Sequence, residues 1–236
     1  MSTAPATTAT GPRKLVYALC HRADRLRQQG EYDQAEALFK QALARAEQVF
    51  SPDVLEDALA FVAVLNNHAV LYKYSGRFDE AEQLYRRALA MKEKLLGADH
   101  PDVAMTLNNL GVVLDDVSEK SAAREAYEEA LPIYRRLAEA HPAAFLPDVA
   151  MTLNNLGNVL GDVGDKSTAL DAWREALEIR WPLVQEHPRA YGRQFFGTLS
   201  QYVANAPEDE NDPWRQLAAT LAKSEDDSSA APPAAE

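Results

Sequence analysis

One cysteine, Cys20, stands among 236 residues. No disulfide framework can form within such a chain, and a reducing compartment is the expected home. No apolar run approaches the ~20 residues that a membrane span requires. The opening MSTAPATTATGPRK has no basic region followed by an apolar stretch, so it does not read as a secretory signal. Positive charge is scarce: 24 Lys and Arg face 36 Asp and Glu, a net charge of −12. An acidic chain repels phosphate backbones and anionic lipid, which disfavours nucleic acid and membrane surfaces as partners. Catalytic signatures are missing as well. There is no HExxH, no GxxxxGK[ST], no GxSxG and no GxGxxG. A lone thiol cannot build a thiolate metal site. Cys20 would need a positioned base to act as a nucleophile, and its neighbour His21 diverges from it on a helix. The expectation is a soluble cytoplasmic protein with no catalytic residues, no metal and no cofactor.

What is present is repetition. MTLNNLG occurs at Met105–Gly111 and again at Met151–Gly157, 46 residues on. Leu65-Asn66-Asn67 lies 42 residues before Leu107-Asn108-Asn109, and a further shift of 46 reaches Leu19-Cys20-His21. From these anchors the units align position by position. Small residues fall at Ala23, Ala69, Gly111 and Gly157, then apolar ones at Leu26, Tyr72, Leu114 and Leu160. Turn residues follow at Gly30, Gly76, Ser118 and Gly164. Next come Ala35, Ala81, Ala123 and Ala169, and then the aromatics Phe39, Tyr85, Tyr127 and Trp173. Apolar positions recur at three, four and seven on both sides of each turn, which predicts two antiparallel helices per unit. The small residues are expected where two helix backbones approach closely. Pro52, Pro101 and Pro147 are expected near the start of a unit's first helix, where a missing N–H costs nothing. His100, His141 and His187 each precede a proline at a unit boundary and are expected to end one helix or cap the next.

This register resembles the tetratricopeptide repeat. The units run 42 or 46 residues rather than the common ~34. The stretch LNNHAVLYKYSGRFDEAEQLYRRALAMKEKLLGADHPDVAMTLNNLG is similar to the long repeats of the kinesin light chain family. The resemblance spans about Leu15 to Tyr202. It implies an all-α, right-handed solenoid of helix hairpins, with about four full repeats plus a partial fifth closed by a capping helix. The expected organisation is a disordered lead over 1–12, a solenoid over 13–222 and a disordered acidic tail over 223–236. The units fall near 13–50, 52–97, 101–141 and 147–187, with the partial one at 190–222. Asp212 and Pro213 are suited to starting the capping helix. From Ala206 to Glu236 there are eight acidic and two basic residues, so half the net charge lies there.

The resemblance also implies that first helices line a concave groove. Adjacent helical residues point about 100° apart, so the paired asparagines should divide their work. The second of each pair (Asn67, Asn109, Asn155) is expected to bond an open backbone group on the neighbouring hairpin. The first (Asn66, Asn108, Asn154) is expected to face the groove. Its neighbours four and seven further on complete the floor: Val70 and Lys73, Val112 and Asp115, Asn158 and Gly161. Met105, Met151 and Ala63 are expected one turn up, with Cys20, Asp24 and Arg27 from the first unit. Amides offer a donor and an acceptor to a peptide backbone, and Met adds adaptable apolar contact. The predicted role is a non-enzymatic adaptor holding an extended peptide or a partner helix. Structural self-assembly through stacking of terminal hairpins is the alternative. Kinesin light chains hold tryptophan-plus-acidic peptides in a basic groove, and some co-chaperone repeats clamp a terminal carboxylate with lysines. Here Arg27 and Lys73 lie toward one end while Asp115, Asp116 and Asp162 lie toward the other, so a bipolar peptide fits better. The segment Glu208–Trp214 is itself a tryptophan beside acids. It could fill its own groove, although a cap helix burying Trp214 is the default reading.

Overall fold

The computed structural model describes residues 11–51 and 53–229. Among them are ten helices: α1 (Gly11–Gln28), α2 (Tyr32–Val49), α3 (Leu55–Tyr74), α4 (Phe78–Leu96), α5 (Pro101–Asp116), α6 (Lys120–Ala140), α7 (Pro142–Asp162), α8 (Lys166–Glu186), α9 (Pro188–Asn205) and α10 (Pro213–Ser229). The described residues contain no strand. The chain divides into two compact units with the boundary between Leu137 and Ala138.

Four turns are built alike. The chain reverses at Gly30, Gly76, Ser118 and Gly164, each in the left-handed region with φ between 65° and 86°. The N–H of the next residue then reaches back to a carbonyl five positions earlier: Glu31 to Leu26, Arg77 to Tyr72, Glu119 to Leu114 and Asp165 to Leu160, all at 2.8–2.9 Å. This satisfies carbonyls that the helix end would otherwise leave open. The repeated register is therefore enforced locally, at each of these four hairpins.

In the first unit α1 packs on α2, α2 on α3, α3 on α4 and α4 on α5. Its core gathers Val16, Ala23, Phe39, Ala42, Leu65 and Leu71, with Tyr85 and Tyr127 fully buried. Tyr127 lies against Gly111, where an added Cβ would stand 2.6 Å from the ring. The small residue thus makes room for the aromatic ring of the second helix, rather than for a second backbone. His68 occupies the position held by Leu110 and Leu156 in other repeats. It is 3% exposed and lies between the rings of Phe39 and Tyr72, with centroids at 5.5 and 4.4 Å. Neither ring nitrogen has a hydrogen-bond partner.

In the second unit α7 packs on α8, α8 on α9 and α9 on α10. Trp173 is buried and its indole N–H donates to Asn158 Oδ1 at 3.0 Å. Gly157 makes room for it, since a Cβ there would meet Trp173 at 2.6 Å. Trp214 packs on Trp181 and Phe195, with Asp212 capping α10 through the N–H groups of Trp214 and Arg215. This is a cap, and Trp214 occupies no groove.

Three boundaries differ from expectation. Pro101 does open α5, but α7 opens at Pro142 and carries Pro147 inside it. His141 and His187 precede the opening prolines of α7 and α9, while His100 caps α5 by accepting from the Asp102 N–H at 3.1 Å. Helix α10 continues to Ser229, and α1 begins at Gly11. The readings of Pro52, of the lead over 1–10 and of the tail over 230–236 lie outside the described residues.

Candidate functional site

In the second unit, α7 and α9 flank a cleft of about 460 Å³, with Arg180 of α8 at its base. Helix α7 supplies Met151, Asn154, Asn155 and Asn158; helix α9 supplies Arg193, Gln194, Thr198 and Gln201. The spacing of three, four and seven puts each set on one helix face. Met151 is 37% exposed, so the cleft offers one apolar side chain among five amides.

Both asparagines of the pair line this cleft, Asn154 as expected and Asn155 against the expected division of roles. Asn154 Oδ1 accepts from the Thr198 hydroxyl at 2.7 Å, so the first asparagine ties α7 to α9. Asn155 lines the cleft beside it. Asn158 also lines the cleft, but its carbonyl oxygen is taken by Trp173.

In the first unit the expected floor residues are unevenly placed. Asn66 is partly buried, and its Oδ1 has no partner. Asn108 is only 4% exposed while Asn109 is partly exposed, the reverse of the expected order. Cys20 belongs to the core rather than to a groove. Burial, with Asp24 adding repulsion, pushes its thiol up to about 11, leaving almost no nucleophilic thiolate at neutral pH. Val70 and Val112 are half-buried, and Met105 is exposed. Asp115 is paired with Lys120 at 2.6 Å.

Charge does collect at the C-terminal ends of the first helices. The Arg27 guanidinium and the Lys73 ammonium approach the Tyr74 ring at 5.1 and 5.2 Å, and Tyr74 is 58% exposed. Burial lowers the affinity of Lys73 for its proton; Asp116 opposes that effect and Arg27 adds to it. Asp116 titrates above the usual carboxylate range through its own burial and the adjacent Asp115. The tyrosine between two cations is a contact that repeat alignment alone did not single out.

A second recurrent feature lies between hairpins. Seven residues after the aromatic of the second helix stand Lys92 in one repeat and Arg180 in another. Both are buried. Lys92 donates to Thr106 Oγ1 at 2.7 Å and to the Asp102 carbonyl at 3.2 Å. Arg180 donates to Thr198 Oγ1 and to the Gln194 carbonyl. The equivalence of 92 with 180, and of Thr106 with Thr198, was the available sequence signal. Asn155 was expected to bond the neighbouring hairpin rather than to line a cleft, and Arg193, Gln194 and Gln201 were not expected; extending the helical spacing through the weaker fifth copy finds those three.

Among the described residues no cluster of His, Cys, Asp or Glu could hold a metal ion, and no helix is long and apolar enough to cross a membrane. Two family models described as tetratricopeptide repeat match the sequence, one over residues 61–136, the other over 15–53 and 149–180. No curated protein matches. Among solved structures, BtubC (BKLC) from P. vanneervenii is similar at a TM-score of 0.72 and 24% identity, over 94% of this chain and 84% of that one. A Podosopora anserina protein of nearly identical TPR-like repeats, named for the kinesin light chain, is similar at 0.68 and 18% identity, over 91% and 94%. The signal-transduction ATPase with a tetratricopeptide repeat sensor from Pyrococcus horikoshii is similar at 0.71 and 14% identity, over 93% of this chain and 32% of that one.

Proposed function

The chain is a tetratricopeptide repeat protein whose repeats are similar to those of kinesin light chains, and from that premise we propose that it is a non-enzymatic adaptor of the cytoplasm that holds an extended peptide on the faces of its first helices. Repeats of this kind mediate protein–protein interaction, because stacked hairpins expose long continuous surfaces. The observation that carries the finer reading is the cleft between α7 and α9. Its amides Asn155, Gln194 and Gln201 can pair with a peptide backbone irrespective of sequence, Met151 supplies apolar contact, and Arg193 favours a carboxylate. In the first unit Tyr74, between Arg27 and Lys73, offers a ring face and two cations to the same class of ligand.

The test uses an array of immobilised extended peptides of varied charge. Asn155→Ala with Gln201→Ala removes two backbone partners and leaves the Asn154–Thr198 tie intact. At about 1 kcal/mol per hydrogen bond, peptides retained by the native chain should bind the double variant roughly tenfold or more weakly, with unchanged melting. Equal retention by both chains would sink this placement of the ligand.

A further inference from the structure

Helices α3, α5 and α9 each use one face against the hairpin before them. His68 of α3 lies against Phe39 of α2, Thr106 of α5 takes a hydrogen bond from Lys92 of α4, and Phe195 of α9 lies against Trp181 of α8. Among the described residues the same face of α1 is left exposed. Leu15 is 48% exposed, whereas its counterparts Phe61, Val103, Val149 and Phe195 are all buried at 8% or less. Ala18 is exposed where Thr106 and Thr198 are buried; Arg22 is exposed where His68, Leu110 and Tyr202 are buried. The face is therefore apolar in its first half and cationic in its second, with Arg22 and Arg25 both exposed. Helix α1 as a whole carries five basic residues and one acidic one.

The α9–α10 hairpin presents the complement. Its two helices leave an open cleft of about 580 Å³ lined by Phe196, Leu199, Val203, Ala218 and Leu221. Phe196 is 50% exposed, although its counterparts Val62, Ala104 and Ala150 are buried. The place that Trp173 fills in the preceding hairpin falls to Ala219, so no aromatic from α10 closes the gap. At the C-terminal end of α9 the chain turns through Glu208, Asp209 and Glu210, all exposed.

We propose that these two surfaces are the halves of one contact between copies of this chain, joined head to tail. Successive first helices run parallel, as the neighbouring N-terminal pair Arg13–Asp57 and the neighbouring C-terminal pair Arg27–Tyr74 require. A second copy's α1 laid beside α9 in that sense puts Leu15 and Ala18 against the apolar cleft. The same placement brings Arg22 and Arg25 to Glu208–Glu210. The occupant follows from the repeat register, from the apolar character of both surfaces and from opposite charge at one end. The contact is heterologous, so assembly continues past a dimer unless the chain of copies closes into a ring.

Sedimentation velocity across a wide concentration range tests this with the full chain. The native protein should grow in mass with concentration. Arg22→Glu with Arg25→Glu, and separately Glu208→Lys with Glu210→Lys, should each stay monomeric while melting like the native chain, because all four side chains are exposed. An equimolar mixture of the two variants should associate again, since each then offers a complementary end to the other. Phe196→Asp should abolish association without touching these charges. A native chain that stays monomeric throughout overturns the proposal. So do charge-reversed variants that associate as the native chain does, or a mixture that stays monomeric.

Discussion

Ser118 adopts φ 65° in a turn where the three sister hairpins have glycine. A side chain in that conformation costs about 1–2 kcal/mol, part of which glycine returns through the greater freedom of its unfolded chain. Ser118→Gly should therefore raise stability by roughly 0.5–1 kcal/mol, read as a shift of a few degrees in thermal melting. Gly157 is a glycine for the opposite reason. Its backbone is ordinary helix, but a methyl group would meet the Trp173 ring at 2.6 Å, and that ring is fixed by its bond to Asn158. Gly157→Ala gains helix propensity and loses more to overpacking, about 1–3 kcal/mol. The pair of substitutions should move melting in opposite directions. Two shifts of one sign would show that the two glycine requirements have been confused.

Between elements, the buried cation of Lys92 is the feature to test. An ammonium in the core is costly unless its bonds are complete, and burial already lowers its hold on the proton. Lys92→Met removes charge and keeps volume, so it should be neutral or mildly stabilising. Thr106→Val keeps the charge and removes its 2.7 Å partner, so it should cost about 1–3 kcal/mol. Denaturant titration of both variants decides this; a Met variant as damaged as the Val variant would show that the hydrogen bonds of Lys92 themselves stabilise the stack. The same inter-helix level separates what was legible in the sequence from what was not. Turn positions, helix pairs and the small-residue and aromatic registers are dictated within about 46 residues, and the alignment carries them. The rotation of each first helix is set by its partners. Asn154 is drawn to Thr198 and Asn158 to Trp173, and these bonds join positions 44 and 15 residues apart that no periodicity couples. Hence the division of roles between the paired asparagines, and the buried cation at 92 and 180, do not follow from the repeat alone.

For the molecule as a whole, acid should act in two windows. His68 is buried beside Phe39 and Tyr72, and the charged groups around it are Glu36 of α2, which favours its proton, and Lys40 and Arg77, which oppose it. Burial prevails and holds the imidazole down to about 4, against an ordinary 6.5. The unfolded chain takes up that proton first. Stability is therefore lost as pH falls from 6.5 toward 4, by about 3 kcal/mol over the whole interval. Glu36 has the opposite arrangement. Its bonds to Lys40, Arg77 and Tyr72 outweigh its burial and hold the carboxyl down to about 2, so the stability it contributes is present above 4.5 and fades as pH drops toward 2. His68→Leu installs the residue found at 110 and 156 and removes two unpaired ring nitrogens. It should raise stability at pH 7 by about 1 kcal/mol or more and flatten the profile between pH 6.5 and 4.5. The fall below pH 4.5 should remain. Melting followed every half pH unit separates the two windows. An unchanged profile in the Leu variant would move the first window to another group, and a variant less stable than the native chain at pH 7 would mean that the imidazole has a partner in the folded core.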